Sequence, residues 1–246
     1  MQMLMSRMRA AMEKYNMIDD GDIIAVGVSG GKDSLALLYA LAEMRRFYPK
    51  KFQVKAITAD MKFFGEKTDF SEIQALCDKL NVEYIIRETE LYHIIFETRK
   101  EKNPCSLCSR MRRGILHDMT KETGCTKLAL GHHMDDAAET FMMNLLSGGT
   151  IESFRPVTYL SRKDLTMIRP MIFATEKEVL SAARKMELPT VESPCPMDKT
   201  SDRENVKKLL ADLEKDSKGL KYRIFGAMQR ADIDGFMPEG AEIIKE

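Results

Sequence analysis

The sequence predicts an α/β fold in which a parallel sheet is covered by helices on both faces and a helical segment follows at the C-terminal end. Three patterns predict it. Short apolar runs alternate with stretches of helical periodicity, as in consecutive strand–helix–strand units. The first run, 22–28, is almost entirely apolar and ends at glycines, which is typical of a buried parallel strand. From residue 200 onward the chain is charged, with its leucines on one helical stripe.

Each element follows from its own local pattern. Apolar runs bounded by turn residues predict strands over 22–28, 52–58, 82–87, 127–130 and 166–169. Apolar residues three and four apart predict helices over 34–46, 69–80, 107–123, 135–146 and 175–186. We expect an N-terminal helix within 1–20, a main α/β domain over 21–200, and a C-terminal helical segment over 201–246 packed on it. The methionine-rich stretch 1–14 favours a helix that packs on the core over one that docks a partner subunit.

Composition excludes several classes of protein. The 38 basic and 38 acidic residues cancel, so no overall basicity marks a nucleic-acid-binding protein. No apolar run reaches the roughly 18 residues that a membrane helix needs. Arg7 and Arg9 interrupt the methionines of the N-terminus, so that segment does not resemble a signal peptide. We therefore expect a cytoplasmic protein that does not enter membranes.

The strongest motif lies between the first strand and the first helix of the alternating pattern. It reads Ser29-Gly30-Gly31-Lys32-Asp33-Ser34. Glycines bring backbone N–H groups close to phosphate oxygens, and the following helix N-terminus favours an anion. Val26 and Asp33 occupy positions where a Walker A loop requires glycine and Ser or Thr, so this is not that loop. The motif resembles the PP-loop of the ATP pyrophosphatase family, whose members cleave ATP between the α- and β-phosphates.

Further candidate residues follow the other predicted strands. Gly131 precedes His132 and His133 and the acidic pair that opens the next helix, and Asp135 is our first choice for holding Mg²⁺. The two histidines could equally well only shape this turn. Asp60, at the end of the second strand, is expected near the nucleotide. Arg169, in an Arg-Pro pair that resembles the family's, could contact a phosphate. We place Lys32, Asp33 and Asp135 in the catalytic group.

Three of the five cysteines lie in loops or at a helix start. Cys105 and Cys108 are separated by two residues in a C-x-x-C pattern, and Cys195 follows a proline. Cys77 and Cys125 lie in apolar patterns that indicate packing. A structural zinc site needs four ligands, and three cysteines alone leave open an iron–sulfur cluster, a zinc site or no metal. The surrounding stretch from Arg99 to Gly114 carries six basic residues and one acid, although a charge run alone is more often a solvated face.

The sequence flanking these motifs favours one of the three possibilities for the cysteines. Cys105-Ser-Leu-Cys108-Ser-Arg110-Met-Arg112-Arg113-Gly114 and Thr126-Lys-Leu-Ala-Leu-Gly131-His-His-Met-Asp135-Asp136 closely resemble segments of the TtcA family of tRNA 2-thiocytidine synthetases. The resemblance runs from about residue 21 to 210. It implies a [4Fe–4S] cluster on Cys105, Cys108 and Cys195 with one iron that no cysteine binds, ATP held by the PP-loop, and Mg²⁺.

The resemblance also implies the reaction. An ATP-dependent tRNA-cytidine 2-sulfurtransferase adenylates the C2 oxygen of cytidine, releases pyrophosphate, and replaces the oxygen with sulfur as AMP departs. We expect Arg110, Arg112 and Arg113 to contact tRNA phosphates, a sulfur donor that is sulfide or a cysteine desulfurase, and a homodimer. Three alternatives remain open at this stage. These are a sulfurtransferase acting on a small molecule or another RNA base, an amide-forming PP-loop ligase, and a sensor without turnover.

Overall fold

The computed structural model describes residues 1–101, 104–197 and 202–236. Within these ranges six strands form one sheet in the order β3-β2-β1-β4-β6-β5. The strands are β1 (Asp22–Gly27), β2 (Phe52–Asp60), β3 (Glu83–Glu88), β4 (Lys127–Ala129), β5 (Val157–Leu160) and β6 (Leu165–Ile168). All neighbours are parallel except β5 and β6, which pair antiparallel. The predicted parallel sheet is confirmed.

Eight helices accompany the sheet in the described part of the chain. They are α1 (Gln2–Lys14), α2 (Lys32–Met44), α3 (Ser71–Lys79), α4 (Pro104–Glu122), α5 (Met134–Met143), α6 (Glu176–Lys185), α7 (Asp202–Asp216) and α8 (Leu220–Arg230). Shorter helical turns cover Phe63–Gly65, His93–Thr98, Asn144–Gly148 and Ile233–Gly235. Among the described residues, none of the helices combines the length and apolar character needed to cross a bilayer.

The sheet buries both faces. Along β1, Ile24 and Val26 pack into the larger core with α1, α2 and α6, whereas Ala25 packs on the opposite face against residues of α4. Successive side chains of a strand point to opposite faces, so a strand between two helical layers must be apolar throughout. This arrangement explains the unbroken apolar run from which the fold was predicted and confirms the helices on both faces.

The two terminal helical segments pack on this body. Helix α1 buries Leu4, Met8 and Met12 in the larger core and contacts α2 and α6, as the core-packing prediction requires. Helices α7 and α8 pack on α5. Residues 198–201 and 237–246 lie outside the described residues, and the predicted domain limits at 20 and 200 remain predictions.

One strand of the sheet was not predicted from the sequence. Val157–Leu160 forms the antiparallel edge of the sheet through its hairpin with β6. An edge strand of four residues that is only partly buried does not need an apolar run. Its short, mixed sequence therefore carried too little pattern to be recognised.

The strand order creates the crevice that a ligand would use. The chain proceeds from β1 outward through β2 and β3, then returns to place β4 on the other side of β1. Loops that follow β1 and β4 therefore lie side by side at the carboxyl edge of the sheet. In open α/β sheets this switch point is where ligands bind.

Candidate active site

The glycine turn after β1 presents an unobstructed helix N-terminus. Gly30 has φ +85°, a left-handed conformation that favours glycine, and Gly31 is the N-cap residue of α2. Because Gly31 has no side chain, it cannot accept from the first N–H groups of the helix. Those groups and the positive end of the helix dipole are therefore available to an anion.

Two serine side chains hold the turn in shape. The Ser34 hydroxyl donates to the carbonyl oxygen of Gly31 at 2.9 Å and accepts from the Ser29 N–H at 3.1 Å. The Ser29 hydroxyl lies 3.2 Å from that of Ser34. Hydrogen bonds across the turn fix its backbone before any ligand arrives, which reduces the cost of binding.

The loops after β1 and β4 are in van der Waals contact, and Gly131 makes this possible. A Cβ atom at Gly131 would lie 3.1 Å from the carbonyl carbon and oxygen of Asp33 and from the backbone nitrogen of Ser34. All three are backbone atoms at the start of α2. Glycine is therefore needed here for close approach of two backbones rather than for an unusual φ angle.

A cavity of about 320 Å³ opens between these loops. Of the residues predicted to bind nucleotide, those that line it are Ser29, Asp33, Ser34, Asp60 and Gly131. A smaller polar cavity of about 160 Å³ adjoins it, and Lys32 lines that one. Asp33 and Asp136 line both cavities.

Lys32 lies between two carboxylates. Its ammonium group is 2.9 Å from a carboxylate oxygen of Asp33 and 3.6 Å from one of Glu176, at the start of α6. Lys207 of α7 also pairs with Glu176, at 2.7 Å. Each cation beside the glycine turn is thus balanced by acids, and a phosphate group would compete with those acids for Lys32.

The two acidic residues at the start of α5 face different parts of the structure. Asp135 accepts from the Glu176 N–H at 2.8 Å and pairs with Lys221 at 3.2 Å, and it is absent from the cavity wall. Asp136 lines the cavity and pairs with Arg203 at 2.7 Å. Burial opposes ionisation of Asp136, but its electrostatic interactions with His133 and Arg203 and the hydrogen bond from the His133 N–H outweigh burial and lower the pKa of this carboxyl. Asp135 as a magnesium ligand stays a prediction.

The two histidines have different environments. His133 is the N-cap of α5: its Nδ1 accepts from the Asp136 N–H, and Asp136 accepts in return from the His133 N–H at 2.9 Å. Shaping the turn is therefore a role that the geometry gives to His133. His132 lines the cavity, and its ring lies against that of Phe154, with centroids 4.8 Å apart and planes tilted by 37°. Burial and the nearby Arg169 lower the pKa of His132 to about 3, so its imidazole is neutral.

Two further predicted site residues, Arg169 and Asp60, form hydrogen bonds with neighbouring residues of the protein. The Arg169 guanidinium is buried, donates to the Arg155 carbonyl oxygen and is absent from the cavity wall. Burial lowers the pKa of Arg169 to about 10, and its Nε has no hydrogen-bond partner among the described residues. Asp60 lines the cavity while its carboxylate accepts from two N–H groups, those of Lys62 and Thr68, at 3.1 Å each.

The three loop cysteines lie on two elements that contribute to the cavity wall, although none of the three thiols lines the cavity itself. Cys105 and Cys108 lie in the first two turns of α4, whose later residues Arg112 and Leu116 line the cavity. Cys195 follows a segment, 191–194, that also lines it, and the Val191 N–H donates to the Gly30 carbonyl oxygen at 3.0 Å. The cysteine loop is thereby tied to the glycine turn.

The Cys108 thiol is subject to several neighbouring charges. Burial raises the pKa of Cys108, the positive charge of Arg112 opposes this, and the charges of Cys195 and Cys105 raise it further. Within the described ranges, no group of three or more His, Cys, Asp or Glu side chains is arranged to hold a single metal ion. Three thiols spread over a helix and a loop fit a group that presents a separate iron to each sulfur.

The basic residues of α4 are accessible. Arg110, Arg112 and Arg113 are exposed, and none of the three forms an ion pair with another described residue. They follow the two cysteines on the same helix, so the cluster of positive charge borders the cavity. No sequence pattern marks Arg203, Lys207 and Lys221 as site residues, since their acidic partners lie on α5 and α6, far away in sequence.

A glycine turn and a bare helix N-terminus at the switch point of a parallel sheet define a PP-loop nucleotide-binding protein. The PP-loop domain family matches residues 3–214. The tRNA-cytidine(32) 2-sulfurtransferase of Geobacter sulfurreducens is 37% identical over 221 residues, covering 89% of this chain and 85% of the relative. That of Ralstonia pickettii is 37% identical over 228 residues, covering 92% and 72%.

Solved structures agree with this assignment. The U34-tRNA thiolase NcsA from Methanococcus maripaludis, with its [4Fe-4S] cluster, matches with a TM-score of 0.75 and 29% identity over 92% of this chain and 77% of that one. An NH3-dependent NAD synthetase from Campylobacter jejuni, with a TM-score of 0.50 and 19% identity, shares the fold alone. The chain belongs to the PP-loop family and, within it, to the family of the tRNA-cytidine(32) 2-sulfurtransferases, which confirms the resemblance to tRNA thiolases noted in the sequence.

Proposed function

We propose that this chain is an ATP-dependent tRNA sulfurtransferase that replaces the C2 oxygen of a cytidine with sulfur. The observation that carries the proposal is the shared cavity: the glycine turn forms one wall, and the cysteine-bearing helix and loop border another. One site can then activate an oxygen and exchange it for sulfur. The relatives named tRNA-cytidine(32) 2-sulfurtransferases support the choice of a cytidine in tRNA.

Activation is a displacement at phosphorus. The C2 oxygen attacks the α-phosphorus of ATP, the bond to the β-phosphate oxygen breaks, and pyrophosphate leaves with the electron pair. The N–H groups of the glycine turn and the Lys32 ammonium would stabilise the charge that develops on pyrophosphate. Asp33, and Asp135 or Asp136, would hold Mg²⁺ against the phosphates, where it neutralises the same charge.

The second half exchanges oxygen for sulfur. A carbonyl oxygen is a poor leaving group, whereas the adenylated oxygen departs as AMP when sulfide adds at C2. Cys105, Cys108 and Cys195 would hold a [4Fe–4S] cluster, which when bound supplies a site for sulfide at an iron that no cysteine ligates. The Cys195 loop, held to Gly30 by the Val191 N–H, would bring that site to the nucleotide. No protein nucleophile is needed.

Partners follow from the same chemistry. Arg110, Arg112 and Arg113 would contact phosphates of the tRNA, because they are exposed and carry no acidic partner in the described chain. The sulfur would come from sulfide or a cysteine desulfurase, and the protein would act in the cytoplasm, where tRNA is modified. We also propose a homodimer, as the family resemblance implies.

Two variants separate the two half-reactions. Lys32→Ala should abolish pyrophosphate release and leave the iron content unchanged. Cys195→Ala should retain ATP binding and lose thiolation, because only sulfur delivery depends on that thiol. Cys125→Ala is the matched control, since Cys125 is buried against the sheet and should alter neither iron content nor thiolation. Full thiolation by Cys195→Ala, or loss of iron in Lys32→Ala, would contradict these roles.

A further inference from the structure

An exposed aromatic side chain stands on a strained turn beside the cavity. Phe64 is 60% exposed, and its backbone is left-handed, with φ 57° and ψ 23°. Lys62, two residues earlier, is also left-handed, with φ 49°. Bulky residues rarely adopt this conformation, and such strained positions concentrate at ligand clamps.

The turn is fixed by its surroundings. The Asp60 carboxylate accepts from the N–H groups of Lys62 and Thr68 at 3.1 Å each and from the Thr68 hydroxyl at 2.9 Å. The Lys62 ammonium reaches the Glu90 carboxylate at 2.8 Å. Hydrogen bonds therefore fix the turn at both ends, and they hold the Phe64 side chain in an exposed position.

Phe64 belongs to an aromatic platform formed by Phe63, Phe64, Tyr92 and Phe96. The Tyr92 ring lies 4.9 Å from that of Phe64, 5.7 Å from that of Phe63 and 5.1 Å from that of Phe96. Phe63 lines the cavity. Phe63 and Phe96 pack on the same small core as Cys108. The platform thus lies between the cavity and the cysteine-bearing helix.

We propose that Phe64 stacks on an unpaired base of the RNA substrate, and this rests on the proposed function. A pyrimidine inside a helical stem is stacked on both faces and cannot reach the cavity. The target base must therefore lie in a loop, where the bases are unstacked. An aromatic ring can stack on any base. Arg112, which is exposed and lines the cavity, can contact the adjoining phosphates. Lys62 is paired with Glu90, whereas Arg112 has no acidic partner among the described residues.

The test compares Phe64→Leu, Phe64→Trp and Phe47→Leu in the full-length protein. Phe47 is a matched control because it is similarly exposed, at 55%, and follows the C-terminal end of α2, the end remote from the glycine turn. The probe is a tRNA anticodon stem-loop, and its dissociation constant is measured without ATP. We expect roughly tenfold weaker binding for Phe64→Leu and wild-type binding for Phe64→Trp and Phe47→Leu.

A fully paired RNA hairpin of the same length distinguishes stacking from general attraction. Its bases are not available, so Phe64→Leu should bind it as the wild type does. Wild-type affinity of Phe64→Leu for the stem-loop, or equal losses for both RNAs, would overturn the proposal. Unchanged melting temperatures and unchanged affinity for an uncleavable ATP analogue would verify that the variants are folded. Because binding is measured without turnover, a failure of thiolation in the wild-type protein would refute the proposed function separately.

Discussion

Replacing Gly131 with alanine should displace the start of α2 and with it the phosphate-binding turn. The new Cβ would lie 3.1 Å from three backbone atoms of Asp33 and Ser34, closer than carbon contacts in folded proteins normally come. None of the three can rotate away, so the two loops must separate by a few tenths of an ångström. Overpacking of this kind costs about 1–3 kcal/mol. Misplacement of a positioning loop by up to 1 Å lowers turnover by up to roughly 100-fold.

The assay measures the free energy of unfolding, the affinity for an uncleavable ATP analogue, and the rate of AMP formation. Gly131→Ala should lower all three. Gly114→Ala is the control, because Gly114 lies within α4 and a Cβ there meets nothing within 4 Å. Alanine is the better helix former by about 1 kcal/mol, so this variant should be at least as stable as the wild type. Wild-type ATP affinity and turnover in Gly131→Ala would refute the close-approach argument.

Three further predictions concern charge. Lys221→Met removes the 2.9 Å partner of buried Glu139, which then keeps only Arg203 at 3.7 Å, and should destabilise the protein by up to about 3 kcal/mol in denaturant unfolding, whereas Lys215→Met, at an exposed pair, should change nothing measurable. His132 has a folded pKa of about 3 and takes up a proton near pH 6.5 when unfolded. Unfolding free energy should therefore fall by up to about 2 kcal/mol from pH 7 to pH 5 and fall less in His132→Asn; equal falls would contradict this. Arg113→Gln should reduce the salt dependence of tRNA affinity by about 0.8 in log–log slope, and an unchanged slope would exclude a phosphate contact.

The sequence could predict the fold because its strands are buried on both faces. Such strands must be apolar along their whole length, as in 22–28, and the alternation with helices then specifies a parallel sheet. The position of the glycine turn at the sheet's carboxyl edge follows from that topology. The short edge strand Val157–Leu160 was missed because its partial burial imposes no such pattern.

The partners of individual site residues could not be predicted. Asp135 and Asp136 are adjacent in sequence, yet one faces α6 and Lys221 while the other lines the cavity, because successive residues of a helix start point in different directions. A phosphate contact by Arg169 stays a prediction, and the hydrogen bond that its guanidinium donates to the carbonyl oxygen of Arg155, just before β5, was not visible in the sequence. Contacts between residues far apart in the chain depend on packing that local patterns do not encode.

The most direct test of the central claim is nucleoside mass spectrometry of unmodified tRNA. The tRNA is incubated anaerobically with cluster-reconstituted protein, ATP, Mg²⁺ and sulfide, then digested. We predict 2-thiocytidine that appears only when ATP is present, together with AMP. AMP without a thionucleoside would contradict cytidine in tRNA as the substrate, and the formation of neither product with the cluster intact would contradict the proposed chemistry itself.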